Sequence, residues 1–258
     1  MIDSYSVYYE LFLRLDYHQL LKFGTCLQPD PNLKEIILKV VTNDCFWYQK
    51  LSMEIETFND PSVHWARAYK FLQSPKYYNQ LLIDAAGDGW LAEVKLLMLN
   101  GVNPNVQENL AIREASGSGH LAVVNRLLDD PRVDPSAHDN EAVRWAGKGG
   151  RLAVVNRLLQ DPRVDPGARN NEAIRGASMR GHSTVVDRLL QDSRVDPTIY
   201  AIILASRYGH LEVVNRLLED KRVDPSALNN EAIRAARNKG HQVIVDRLRE
   251  DSRVSSLT

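Results

Sequence analysis

Cysteine is scarce in this 258-residue chain. The two present, Cys26 and Cys45, stand far apart with no CxxC partner, which argues against a disulfide framework or a cysteine-type zinc site and suits a reducing compartment. An excess of one charge sign is missing too: 32 Lys and Arg face 33 Asp and Glu, so no global positive field exists to hold nucleic acid. Long apolar runs are absent, and stretches such as Ala201 to Ala205 fall far short of the ~20 residues that span a bilayer. No basic segment leads into an apolar one at Met1, so a soluble, cytoplasmic protein without an export signal is expected, with no membrane partner. At 44% hydrophobic and 25% charged residues the chain is expected to bury a core.

Aromatic residues are scarce in one part only. Fifteen of the nineteen lie before Asn79, as do both cysteines, and the remainder holds only Trp90, Trp145, Tyr200 and Tyr208. Charge does not mark this division, since residues 1–78 carry 8 basic and 9 acidic groups and residues 79–258 carry 24 of each. The composition therefore predicts an aromatic-rich domain over 1–78 and a second, packed with Leu, Val, Ile and Ala, over 79–258.

The second part repeats itself. The tetrad Arg-Val-Asp-Pro begins at Arg132, Arg163, Arg194 and Arg222, and Arg253 opens a degenerate copy, in steps of 31, 31, 28 and 31. Gly119, Gly150, Gly181, Gly209 and Gly240 keep the same register, as do Ala115, Ala146, Ala177, Ala205 and Ala236. Leu127, Leu158, Leu189, Leu217 and Leu248 make a third series. A more divergent unit starts near Gln80, giving six: about 80–107, 108–139, 140–170, 171–199, 200–229 and 230–258.

Each unit reads as two short helices. In the third, Asn140 is expected to cap the first helix, Ala142, Val143 and Ala146 form its apolar stripe, and Gly149 and Gly150 stop it. The second helix starts near Leu152, aligns Leu152, Val155, Leu158 and Leu159, and ends before Pro162. Helices this short are unstable alone, because nucleation is costly and the apolar stripe faces water. Stacked neighbours must complete the core, which is the logic of a solenoid. Arg249 replaces the second Leu of the pair seen as Leu128, Leu159, Leu190 and Leu218, as expected of a terminal layer.

The run GHLEVVNRLLEDKRVDPSA, from Gly209 to Ala227, resembles an ankyrin repeat, whose second helix commonly reads GHLEVVKLLL. The resemblance covers residues 80–254 and implies an all-α ankyrin-repeat solenoid. NEAIR replaces the family's usual Thr-Pro-Leu-His entry, and a short DPSAxNN linker replaces its β-turn finger, so reduced fingers and tight loops are expected. This version is similar to ankyrin proteins encoded by giant DNA viruses of amoebae, which implies a host protein as partner.

Residues 1–78 show helical spacing without repeats: Tyr8, Leu11, Phe12 and Leu15, then Ile36, Ile37 and Val40. LRLDYHQLLKFGTC followed by DCFWYQKL resembles an F-box-like motif. That resemblance implies docking on a Skp1-type adaptor of a cullin ubiquitin ligase through Leu15, Leu20, Leu21, Phe23, Cys26 and Trp47. The other reading is a helical cap that seals the solenoid.

No constellation points to catalysis: there is no phosphate loop, HExxH or nucleophile elbow, and the acidic residues recur with the repeat without converging. An enzyme would need a site hidden among His18, Cys26, Cys45 and His64. No cofactor, metal or small-molecule substrate is expected. His120, His182, His210 and His241 recur one unit apart without a second ligand at i, i+4 spacing, which reads as a turn residue bonding backbone. The ladders Arg126, Arg157, Arg188, Arg216, Arg247 and Asp134, Asp165, Asp196, Asp224 read as solvated faces and salt bridges.

Positions that vary between equivalent places are better candidates for partner choice. Just before the central Gly lie Gly117 and Ser118, Lys148 and Gly149, Met179 and Arg180, Arg207 and Tyr208, Asn238 and Lys239. In ankyrin proteins such places face the groove that holds the partner. Trp145 adds a ring where other units have Glu114, Gly176, Leu204 or Ala235. A partner-binding groove of Trp145, Lys148, Met179, Arg180, Arg207, Tyr208, Asn238 and Lys239 follows, suited to an acidic or mixed protein epitope, since Tyr, Trp and Arg dominate interface energy. A non-enzymatic adaptor is the function expected, either recruiting a host protein to a ligase or simply sequestering it. Nucleic acid is the least fitting partner, given neutral charge and no binding module.

Overall fold

In a computed structural model the described residues are 78–99, 101–197 and 199–254, so the features expected of residues 1–77 lie outside them. From Leu82 onward the chain forms one compact unit. The described residues hold twelve helices and no strand, arranged as six helix pairs. The first helices are α1 (Tyr78–Asp88), α3 (Val106–Ser118), α5 (Ala137–Lys148), α7 (Ala168–Arg180), α9 (Ile199–Tyr208) and α11 (Ala227–Asn238). The second helices are α2 (Leu91–Leu99), α4 (Leu121–Leu128), α6 (Leu152–Leu158), α8 (Ser183–Leu190), α10 (Leu211–Glu219) and α12 (Gln242–Arg249).

From α3 to α11 each first helix packs on the first helix of the next layer, and from α2 to α12 each second helix does the same. Small side chains permit the close approach of the first helices: Ala111, Ala115, Ala142, Ala146, Ala173, Ala177 and Ala205 are fully buried. At Gly147 an added Cβ would lie 2.9 Å from the carbonyl oxygen of Ala173, so the backbones of α5 and α7 meet there. The other side of the core is the repeated Leu series, Leu127 to Leu248, each fully buried, beside Val123, Val154, Val185 and Val213. At the last layer Arg249 is half-exposed, whereas Leu159 and Leu218 are buried at the equivalent place.

The loops depart from expectation in a specific way. Reduced fingers are present, and four of them are three-residue left-handed turns. Gln107 to Asn109, His138 to Asn140, Arg169 to Asn171 and Leu228 to Asn230 all have φ between 47° and 61°. The expected cap at Asn140 is therefore corrected: its backbone is left-handed, with φ 60°, and its side chain bonds the next layer. Its Oδ1 accepts the backbone N–H of Asp165 in the next layer at 2.7 Å. Asn109 accepts from Asp134 and Asn171 from Asp196, both at 2.9 Å. Asn suits this place because it tolerates the left-handed region better than most residues and can reach a neighbouring backbone.

The ladders also bind layer to layer; they are not merely solvated. In the tetrads at Arg163, Arg194 and Arg222, and in the degenerate copy at Arg253, the Arg grips the Asp two residues before it and donates through Nη1 to the preceding layer's Val carbonyl, while Arg132 grips Asp130. Arg163 reaches Val133 at 3.0 Å, Arg194 reaches Val164 at 2.7 Å, Arg222 reaches Val195 at 2.8 Å and Arg253 reaches Val223 at 2.9 Å. The second-helix Arg157, Arg188 and Arg247 donate to Asn125, Asn156 and Asn215 of the preceding layer at 2.9–3.0 Å. Asp134, Asp165 and Asp224 accept the N–H two residues on, each at 2.9 Å, which fixes the loop entering the left-handed turn.

Histidine closes the other end of α5, α7 and α9, while at α3 Arg151 Nε donates to the Gly117 carbonyl at 3.2 Å. His210 Nε2 bonds the Met179 carbonyl at 3.0 Å, and His241 Nε2 bonds that of Arg207 at 3.1 Å. Each ring sits on the preceding layer's left-handed Gly: an added Cβ at Gly150 would lie 2.6 Å from His182 Nδ1. Only glycine provides both the positive φ and the space. The repeated His is thus a backbone-bonding residue, as its spacing suggests.

Burial holds the His182 pKa below its usual value, against a backbone hydrogen bond and with help from nearby Arg180 and Arg151. The folded state therefore binds fewer protons than the unfolded one as pH falls below about 6.5, and stability is lost in that window. A second window lies lower. Arg132 holds the Asp130 carboxyl at about 2, and Asp161, Asp192, Asp220 and Asp251 are lowered by their own Arg partners. Their contribution is complete above the ordinary carboxylate range and is lost below it. Urea titrations between pH 8 and pH 3 are expected to show two falls in unfolding free energy, and His182→Gln is expected to flatten only the upper one. An unchanged upper fall in that variant would assign it elsewhere.

Candidate functional site

The variable positions lie at the C-terminal ends of the first helices, one set per layer. Trp145, Lys148 and Arg180 come together: with Glu114, Gly117, Ser118 and Gly149 they line one pocket of about 330 Å³. Glycine makes the room. An added Cβ at Gly117 would lie 3.3 Å from Trp145 Cβ, and one at Gly149 would lie 2.8 Å from the Gly117 carbonyl oxygen. At Gly176 it would lie 3.1 Å from Lys148 Cβ. The ring of Trp145 rests on the α3 backbone, with the Arg113 guanidinium 5.8 Å from its centroid. Arg113 is itself paired with Glu141 in a buried contact, so the ring sits against a fixed cation.

Lys148 and Arg180 are exposed and half-buried Glu114 is the single acid among the lining residues. Spacing alone placed Glu114 only as an equivalent of Trp145; its membership of the pocket appears once α3 and α5 are packed. Met179, Arg207, Tyr208, Asn238 and Lys239 do not line the pocket and continue the row in later layers. Met179 is half-buried; Arg207, Tyr208, Asn238 and Lys239 are exposed, Tyr208 to 52%. Arg207 Nη2 stands 3.8 Å from Glu231 Oε1, a loose pair that leaves most of its donors for solvent or a ligand. Among the described residues no group of His, Cys, Asp and Glu has metal-site geometry, and no helix is long and apolar enough to cross a membrane. Leu15, Leu20, Leu21, Phe23, Cys26 and Trp47 lie outside the described residues.

This architecture is an ankyrin-repeat solenoid. Among solved structures it is similar to the crystal structure of the human ASB11 ankyrin repeat domain, with a TM-score of 0.56 and 22% identity over 66% of this chain and 83% of that one. At that identity the likeness is one of fold. The profile of the ankyrin repeat family matches residues 199–230, which hold α9 and α10. Curated protein sequences give no match. Ankyrin repeats generally mediate protein–protein interaction, and the fold typically serves as a scaffold and not as an enzyme.

Proposed function

We propose that this chain is a protein-binding scaffold that holds an acidic or mixed segment of a host protein along the row of first-helix ends. The observation that carries this is the Trp145 pocket: an aromatic wall over a glycine floor, rimmed by Lys148 and Arg180, beside the exposed Arg207 and Tyr208. Aromatic and Arg anchors in a pocket are the groups that dominate interface energy. Met179, Asn238 and Lys239 extend the same row.

The test begins with affinity purification from host cells, followed by calorimetric titration of the identified partner. Trp145→Ala with Arg180→Glu is expected to weaken binding at least tenfold, a loss of about 1.4 kcal/mol or more, with unchanged helical circular dichroism. Undiminished affinity would refute this use of the row.

The F-box-like resemblance of residues 1–78 extends the reading: Leu15, Leu20, Leu21, Phe23 and Trp47 would present the captured protein to a Skp1-type adaptor. A pull-down of the full chain with purified Skp1 decides it. Binding lost on Leu20→Ala with Leu21→Ala supports recruitment to a ligase. Absence of binding leaves a stand-alone binder whose first residues act only as a cap.

A further inference from the structure

One layer lacks a connection that its neighbours make. In α3 and α5 the Arg at the eighth helix position, Arg113 and Arg144, works in two directions. Arg113 Nη1 gathers the carbonyls of Gln107 and Glu108 from its own left-handed turn, and Arg144 Nη1 gathers those of His138 and Asp139 at 3.0 and 3.1 Å. Through Nε each then takes a carboxylate from the next layer, Glu141 for Arg113 and Glu172 for Arg144.

Arg175 keeps the first contact, with the Asn170 carbonyl at 3.5 Å, and loses the second. The residue in the next layer that corresponds to Glu172 is Tyr200, because the step from Arg194 to Arg222 is 28 residues. The guanidinium carbon of Arg175 lies 5.5 Å from the Tyr200 ring centroid, and its Nε is buried with no hydrogen-bond partner. No carboxylate of the described residues pairs with Arg175, and Tyr200 is 50% exposed. A buried donor left without an acceptor is uncommon in a folded protein.

We propose that this layer is a docking point for an acidic side chain of a protein partner, which takes on Arg175 the place that Glu141 and Glu172 take on Arg113 and Arg144. The inference rests on the protein-binding reading and adds a contact that the Trp145 pocket does not include. A carboxylate is the fitting class because a guanidinium N–H makes a strong charge-assisted bond to it, and the same chain makes such a bond from Nε twice in neighbouring layers, each time to a Glu Oε2. The Tyr200 ring covers the face of the cation and, being half-exposed, can swing aside as a carboxylate reaches Nε.

The test is nuclear magnetic resonance of the full chain labelled at arginine side chains, with the Arg175 Nε–Hε signal assigned by its loss in Arg175→Lys. The probes are acetyl-Ala-Glu-Ala-amide, acetyl-Ala-Gln-Ala-amide and inorganic phosphate. The Glu peptide is expected to shift that signal saturably, at least fivefold more than the Gln peptide at equal concentration. The shift is expected to vanish in Tyr200→Glu, where an internal carboxylate occupies the place, while the urea midpoint of that variant holds or rises. No saturable shift, an equal shift with the Gln peptide, a larger one with phosphate, or persistence in Tyr200→Glu would each overturn the proposal. Trp145→Ala with Arg180→Glu is expected to leave the shift intact, so failure of the pocket reading and failure of this one are read separately.

Discussion

Leu189→Ala is expected to lower the unfolding free energy by about 2–5 kcal/mol and to split the urea transition into two steps. Leu189 is fully buried in α8, which packs against α6 on one side and α10 on the other. Layers touch only their neighbours, so nothing distant in sequence can compensate for a weakened middle interface, and the two flanks lose their coupling. Leu248→Ala removes an equally buried side chain from α12, but among the described second helices α12 packs only on α10. That variant is expected to fray the end and keep a single main transition. Identical midpoints and a single step in both variants would contradict a layered, nearest-neighbour stability.

The second large effect falls on the loops. Asn171→Val is expected to cost about 2–5 kcal/mol, combining roughly 1–2 for placing a β-branched residue in the left-handed region with about 1–3 for orphaning a backbone donor. Asn171 has φ 59°, is 8% exposed, and accepts the Asp196 N–H at 2.9 Å. Asn171→Gly separates the two causes, because glycine adopts the conformation freely and loses only the hydrogen bond. The order wild type, Gly, Val in urea midpoint is expected. Equal midpoints for Gly and Val would remove backbone conformation from the explanation.

These expectations rest on features that the sequence discloses unevenly. The stacking was legible because the buried positions recur in register: the Ala and Leu series are the buried ones, and the central Gly and His meet across layers. The loop geometry was not, because Asn is a common helix cap and a common left-handed residue, and only the chain direction around Asn140 separates the two. The Arg and Asp ladders misled for a related reason. Surface charge repeated at one spacing looks the same whether it faces water or reaches back 32 residues, as Arg188 does to Asn156. At the site, variability between layers pointed to Trp145, Lys148 and Arg180, while Glu114 and Arg113 join them only through the approach of α3 and α5 at Gly117.

The fifth layer shows how these parts belong together. Where the step shortens by three residues, Ile199 stands for the Asn, Tyr200 for the Glu and Ile203 for the Arg, and no described residue of that loop has positive φ. Still α9 packs between α7 and α11 as its counterparts do, with Ala201 and Ala205 fully buried. The left-handed turn, the guanidinium that gathers its carbonyls and the acceptor that ties it onward behave as one removable cassette. A scaffold built this way can redraw its outer contour at a single storey by deleting the cassette whole, leaving the hydrophobic column beneath it threaded as before.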